Sequence, residues 1–118
     1  MPDPKHLERG LARLNRLVEA RGLPGVVPAT HEAAPALAVA GTALAWLVDA
    51  NTLALACPVD QKVLLMDISP DLYFETEQQV GKDVMLIHLD RIGDEELSLR
   101  LHDAWEFSAP DGLRKGVD

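Results

Sequence analysis

From Thr52 to Leu113 the chain runs without a break through strand, helix, hairpin, helix and tail, and few folds accept that order. A short apolar run, Thr52–Cys57, predicts a strand, and Pro58 stands where a helix starts, with Asp60 near the positive end of its dipole. Val59, Val63 and Met66 mark the expected inward face of that helix, and Ser69-Pro70-Asp71 ends it. Leu72–Thr76 and Val84–Leu89 then read as a hairpin, joined by Glu77–Asp83 with Gly81 in the turn. The acids of Gly93-Asp94-Glu95-Glu96 open a last helix. Leu97, Leu101, Ala104 and Trp105 are its expected buried stripe, and Pro110 and Gly112 its end.

The N-terminal half fits around this run. Leu7, Leu11, Leu14 and Val18 recur at helical spacing, so a helix is expected from Pro4 to Arg21, stopped by Gly22 and Pro24. Lys5, Arg9, Arg13 and Arg16 fall opposite the leucines on this helix. Residues 23–36 hold three prolines and read as a loop entering an edge strand, because proline is excluded from central strands. Ala36–Ala40, Ala43–Val48 and Thr52–Cys57 are short apolar runs between turn residues, the pattern of an antiparallel meander. A helix through Ala33–Ala50 competes with that reading, and Pro35 and Gly41 count against it. The expectation is one two-layer α+β domain over residues 1–118, mainly antiparallel, ordered α-β-β-β-α-β-β-α.

A chain of 118 residues with 47% hydrophobic and 25% charged residues is globular in composition. No apolar run approaches the roughly 20 residues that cross a bilayer. The first residues lack an apolar signal core, and Cys57 is the one cysteine. Cytoplasmic residence is therefore expected, with no disulfide. The net charge of −8 works against phosphate binding, but it is uneven. Residues 1–25 carry +2, residues 26–90 carry −7 and the rest −3.

Candidate chemistry is sparse. Glu75 and Glu77 alternate on a strand and so share a face, where paired carboxylates could bind a metal or divide acid and base roles. A solvated strand face, with Leu72 and Phe74 pointing inward, explains them more simply. His6, His31, His88 and His102 form no HExxH pattern, and Cys57 has no CxxC partner. Cys57 lies just before a helix N-terminus, which can lower a thiol pKa, yet a lone cysteine is most often a small buried apolar residue. There is no nucleophile elbow and no glycine-rich phosphate loop. Trp46 and Trp105 lie in apolar patterns and read as core. No catalysis, metal or cofactor is expected.

The segment CPVDQKVLLMDISPDLYFET, followed by a glycine turn, VMLIHLDRI, DEELSLRLHDAW and a terminal AP, resembles the MmcQ/YjbR family. LPGV, Pro35-Ala36-Leu37 and Val39-x-Gly41 also fit its N-terminal half. The resemblance implies a YjbR-like fold, related to secretion-chaperone-like and frataxin-like architectures. It implies a small bacterial cytoplasmic protein, regarded as DNA-binding through two hairpin wings and without enzyme activity. Carried onto this chain, duplex DNA would meet Arg9, Arg13, Arg16, Lys82, Arg114 and Lys115 through phosphate contacts that position without reading bases. This chain departs from the pattern in the last hairpin, Gln78-Gln79-Val80-Gly81-Lys82-Asp83, where only Lys82 is cationic, and in Ala40-Gly41-Thr42, which has no basic residue. The rival expectation is a protein-interaction module, self-associating as a homodimer, with the alanine-rich segment Ala33–Ala45 at the interface.

Overall fold

Side chains alternate between the two faces of a β-sheet, and that alternation sorts this chain into two unlike surfaces. A computed structural model describes the backbone of residues 4–115 and the side chains of residues 7–113. The elements are α1 (Pro4–Arg21), β1 (Val26–His31), β2 (Ala34–Val39), β3 (Thr42–Asp49), β4 (Thr52–Ala56), α2 (Val59–Ile68), β5 (Tyr73–Phe74), β6 (Val84–His88), α3 (Asp94–Ser108) and α4 (Asp111–Lys115). The strands form one sheet ordered β1-β2-β3-β4-β6-β5, antiparallel at every step. This is a two-layer α+β fold. Among the described residues no helix is long and apolar enough to cross a membrane.

One face of the sheet carries the large residues. Leu37, Val39, Leu47, Leu53, Leu55, Tyr73, Met85 and Ile87 share one core with Leu14 and Val18 of α1 and with Leu97, Leu101, Ala104 and Trp105 of α3. Leu65 and Met66 of α2 pack against the same core. Two irregularities in β3 adjust its edges. Leu44 is an extra residue between the pairs Leu37–Ala45 and Ala38–Ala43, and it joins Ala45 in the core. Val48 is extra between Leu47–Leu53 and Asp49–Thr52, and it stays exposed. Helix α1 comes close to the sheet at Gly10, where an added Cβ would stand 3.3 Å from Leu47 Cδ1.

Four expectations are corrected. The strand count before the middle helix is four, not three, because Val26–His31 is a complete strand paired with β2 along its whole length. It is the sheet edge, where Pro28 loses no ladder bond if its missing donor points outward. The tail after Pro110 adds α4, whose Leu113 packs against the core and lies beside Gly25. On α2, Met66 packs inward as expected, but Val63 does not: Lys62 takes the buried position beside it, and Val63 and Leu64 are 55% and 57% exposed. Leu72, just before β5, packs against the core as expected, but Phe74 points to the other face and Tyr73 points into the core, its hydroxyl bonded to Glu96 of α3.

This packing sets unequal costs for neighbouring apolar residues. Leu53→Ala is expected to destabilise the chain by about 2–5 kcal/mol through the cavity it leaves. Leu64→Ala is expected to change stability by no more than about 0.5 kcal/mol. Urea midpoints with unchanged slope would establish both values.

Candidate functional site

Among the described residues no helix packs on the second face of the sheet, although Ala36, Ala54 and Leu86 on it are only 0%, 1% and 4% exposed. In register across it run Ala36, Trp46, Ala54, Leu86 and Phe74, one from each strand from β2 to β5. In this row the small Ala54 lies between the taller Trp46 and Leu86. Trp46 leans on His31 with ring centroids 4.2 Å apart, and Phe74 stacks on His88 at 4.1 Å. The first of these ring pairs borders a concave stretch of the face. The result is a groove of about 730 Å³, within the range of about 300–1,000 Å³ usual for ligand sites. His31, Glu32, Trp46 and Val48 form one wall, Ala34, Ala54, Val84 and Leu86 the floor, and Gln78, Gln79 and Lys82 of the β5–β6 loop the other wall. Trp46 is thus half-buried on the open face and not a core residue, which corrects its sequence reading. Trp105 is in the core, its indole N–H donating to the Pro24 carbonyl at 2.9 Å.

The loop wall is built from below by a buried cation. Lys62 is 1% exposed, and its Nζ donates to the carbonyls of Gln79 and Lys82, both at 2.8 Å. Glu75 Oε1 stands 2.7 Å from the same ammonium as a charge partner, off the direction of a hydrogen bond. A buried charge is tolerated only when paired and bonded in this way. Asp83 completes the anchorage: its carboxylate accepts from the Val59 N–H at 3.0 Å and its carbonyl from the Cys57 N–H at 3.0 Å. Gln79 Oε1 folds the loop locally by accepting from Thr76. On the opposite wall, Glu32 and Ala33 form the β1–β2 turn with φ of +50° and +67°, a region that costs a non-glycine residue about 1–2 kcal/mol.

Of the six cations expected to meet phosphate, the four whose side chains are described do not share one surface. Arg13 is engaged by the fold. Its guanidinium donates to Asp94 at 2.7 Å and to the carbonyls of Leu89 and Ile92 at 2.8 and 2.6 Å, tying α1 to the turn before α3. Arg16 also reaches Asp94, at 3.0 Å, but is 63% exposed. The Arg13 guanidinium, with Arg16 beside it, holds the Asp94 carboxyl below its ordinary pKa. Arg9 is exposed beside Asn51 and Asp90 on the helix layer. Lys82 stands on the opposite layer, in the groove. The side chains of Lys5, His6, Arg114 and Lys115 lie outside the described residues.

The remaining candidates separate as well. Glu75 belongs to Lys62 and Glu77 is exposed, so the two carboxylates do not form a site. Cys57 is buried, and desolvation pushes its thiol up to about 11, away from the reactive thiolate. His31 and His88 stand in ring pairs, and His102 lies between Arg21 and Glu106. Among the described residues no three His, Cys, Asp or Glu side chains converge as a metal set. The alanines of Ala33–Ala45 supply the groove floor through Ala34 and, beside it, Ala36.

Lys62 was visible in the sequence only as one of two cations in an acidic stretch; nothing marked it as buried. His31 and Trp46, fifteen positions apart, become neighbours through the β1–β2 and β2–β3 registers together. Comparison with protein-family models, with curated proteins and with solved structures finds no match.

Removing the ammonium leaves two carbonyls and Glu75 without their partner. Lys62→Met is therefore expected to destabilise the chain by about 3 kcal/mol and to raise amide exchange across residues 75–83 above that of β3. Exchange rates that rise equally everywhere would contradict the anchoring role.

Proposed function

We propose that this chain is a cytoplasmic, non-catalytic binding module, and that the groove on its uncovered sheet face receives an extended segment of a partner protein. The observation that carries this reading is the groove itself: an apolar floor, a ring wall and a polar loop wall anchored from the core. Such a combination of apolar lining and few polar groups is what recognition sites use. The charges favour a protein over a nucleic acid. A phosphate backbone needs several cations on one surface, whereas the groove offers Lys82 against Glu32, and Arg13 is held by Asp94. A second copy of this chain is the weaker occupant, because two molecules of net charge −8 repel. The resemblance to the MmcQ/YjbR family supports a binding role without catalysis and adds duplex DNA as the competing partner.

Titrating the labelled full chain at low salt, separately with duplex DNA and with a panel of short unrelated peptides, tests the proposal by amide and indole NMR shifts. The expected outcome is that some peptides move the Trp46 indole N–H and the Leu86 amide, and that DNA moves neither these nor the amides around Arg9 and Arg16. Shifts caused by duplex DNA at Arg9, Arg16 and Lys82, lost steeply with added salt, would replace the protein partner with nucleic acid.

A further inference from the structure

The groove has two charged ends. Glu32 lies in the β1–β2 turn and Lys82 in the β5–β6 loop, at opposite sides of the sheet order and toward opposite ends of the strands. Strand spacing of about 4.8 Å separates these walls by roughly 15–20 Å across the sheet, and the offset along the strands makes the path between the charges at least the length of about six extended residues. Neither charge has an ion pair among the described residues. The Lys82 backbone is nevertheless held in place, because its carbonyl accepts from Lys62. Its ammonium therefore projects from an anchored backbone with no ion pair among the described residues. Between the ends, Trp46 and Leu86 flank the small side chain of Ala54.

We infer that the groove is polarised. It takes an extended peptide segment whose acidic end lies at Lys82, whose apolar or aromatic side chain seats between Trp46 and Leu86, and whose neutral or basic end lies at Glu32. This rests on the proposed role of the groove and adds the chemistry and orientation of its occupant. The length between the charged ends favours a peptide over a compact metabolite. The carboxylate of Glu32 disfavours a segment that is acidic throughout, and the same repulsion opposes a polyphosphate. Peptide exchange would then depend on salt, because both charges are exposed.

Two acetylated and amidated probe peptides test this, Thr-Val-Phe-Thr-Glu-Glu and Thr-Val-Phe-Thr-Lys-Lys. Each is titrated into the full-length chain, with the Trp46 indole N–H as the reporter. At low salt Lys82→Glu is expected to weaken the acidic-ended peptide about five- to ten-fold and leave the basic-ended one no weaker, and Glu32→Lys is expected to do the converse, both effects shrinking with added salt. Binding of both peptides that is weakened by Trp46→Ala but indifferent to Lys82→Glu and Glu32→Lys would leave the groove as a peptide site and overturn its polarity. If neither peptide moves the Trp46 indole N–H, and no member of the unrelated panel does, the groove reading and its polarity both fall.

Discussion

One face of this sheet is lined by large aliphatic side chains, and the other mixes Ala36, Ala38 and Ala54 with Trp46, Leu86 and Phe74, so the helices gather on the first. That asymmetry governs this molecule. Leu37, Leu47, Leu53, Leu55 and Ile87 offer deep apolar surface to α1 and α3, and burying it is the main driving force for the fold. Ala36, Ala38 and Ala54 alternate with these residues and offer almost none. A helix laid on the second face would find little to bury, so the face is left to the loop and the rings at its borders. The groove is thus the other side of the core and needs no separate explanation.

Two polar devices hold the layers in relation to each other. Arg13 and Asp94 pin the first helix to the start of α3. Lys62 pins α2 to the loop that walls the groove. Both use charge-assisted bonds, which are stronger and more directional than neutral ones. They also remove cations from circulation. A chain with eleven Lys and Arg residues has fewer available for a partner than its count implies, because some are bonded to its own carbonyls and carboxylates. The function of a surface charge therefore cannot be read from its number alone.

Much of the helix layer was legible in the sequence. The periodic leucines bounded by Pro4 and Gly22 marked α1, and the stripe Leu97, Leu101, Ala104, Trp105 matched the buried face of α3 residue for residue. The two-layer class followed from the order of strands and helices. The open face was less legible for physical reasons. A strand containing Pro28 and ending in His31 looks like loop until β2 pairs with it. A buried lysine inverts the polarity rule on which helix phase depends, so apolar spacing points Val63 inward where Lys62 is the buried residue. Trp46 has apolar neighbours along the chain, and only the alternation of β3 turns it away from them. Arg13 looked like a solvated charge because its partners are more than seventy residues distant.

Acrylamide quenching of tryptophan fluorescence tests the uncovered face most directly. The chain has two tryptophans, so the difference between the wild type and Trp46→Phe isolates Trp46. The account requires that the emission lost with Trp46 be the quenchable part and that the remaining Trp105 emission resist quencher. A Trp46 as protected as Trp105 would mean that something covers that face, and the groove could not be the receiving surface described here.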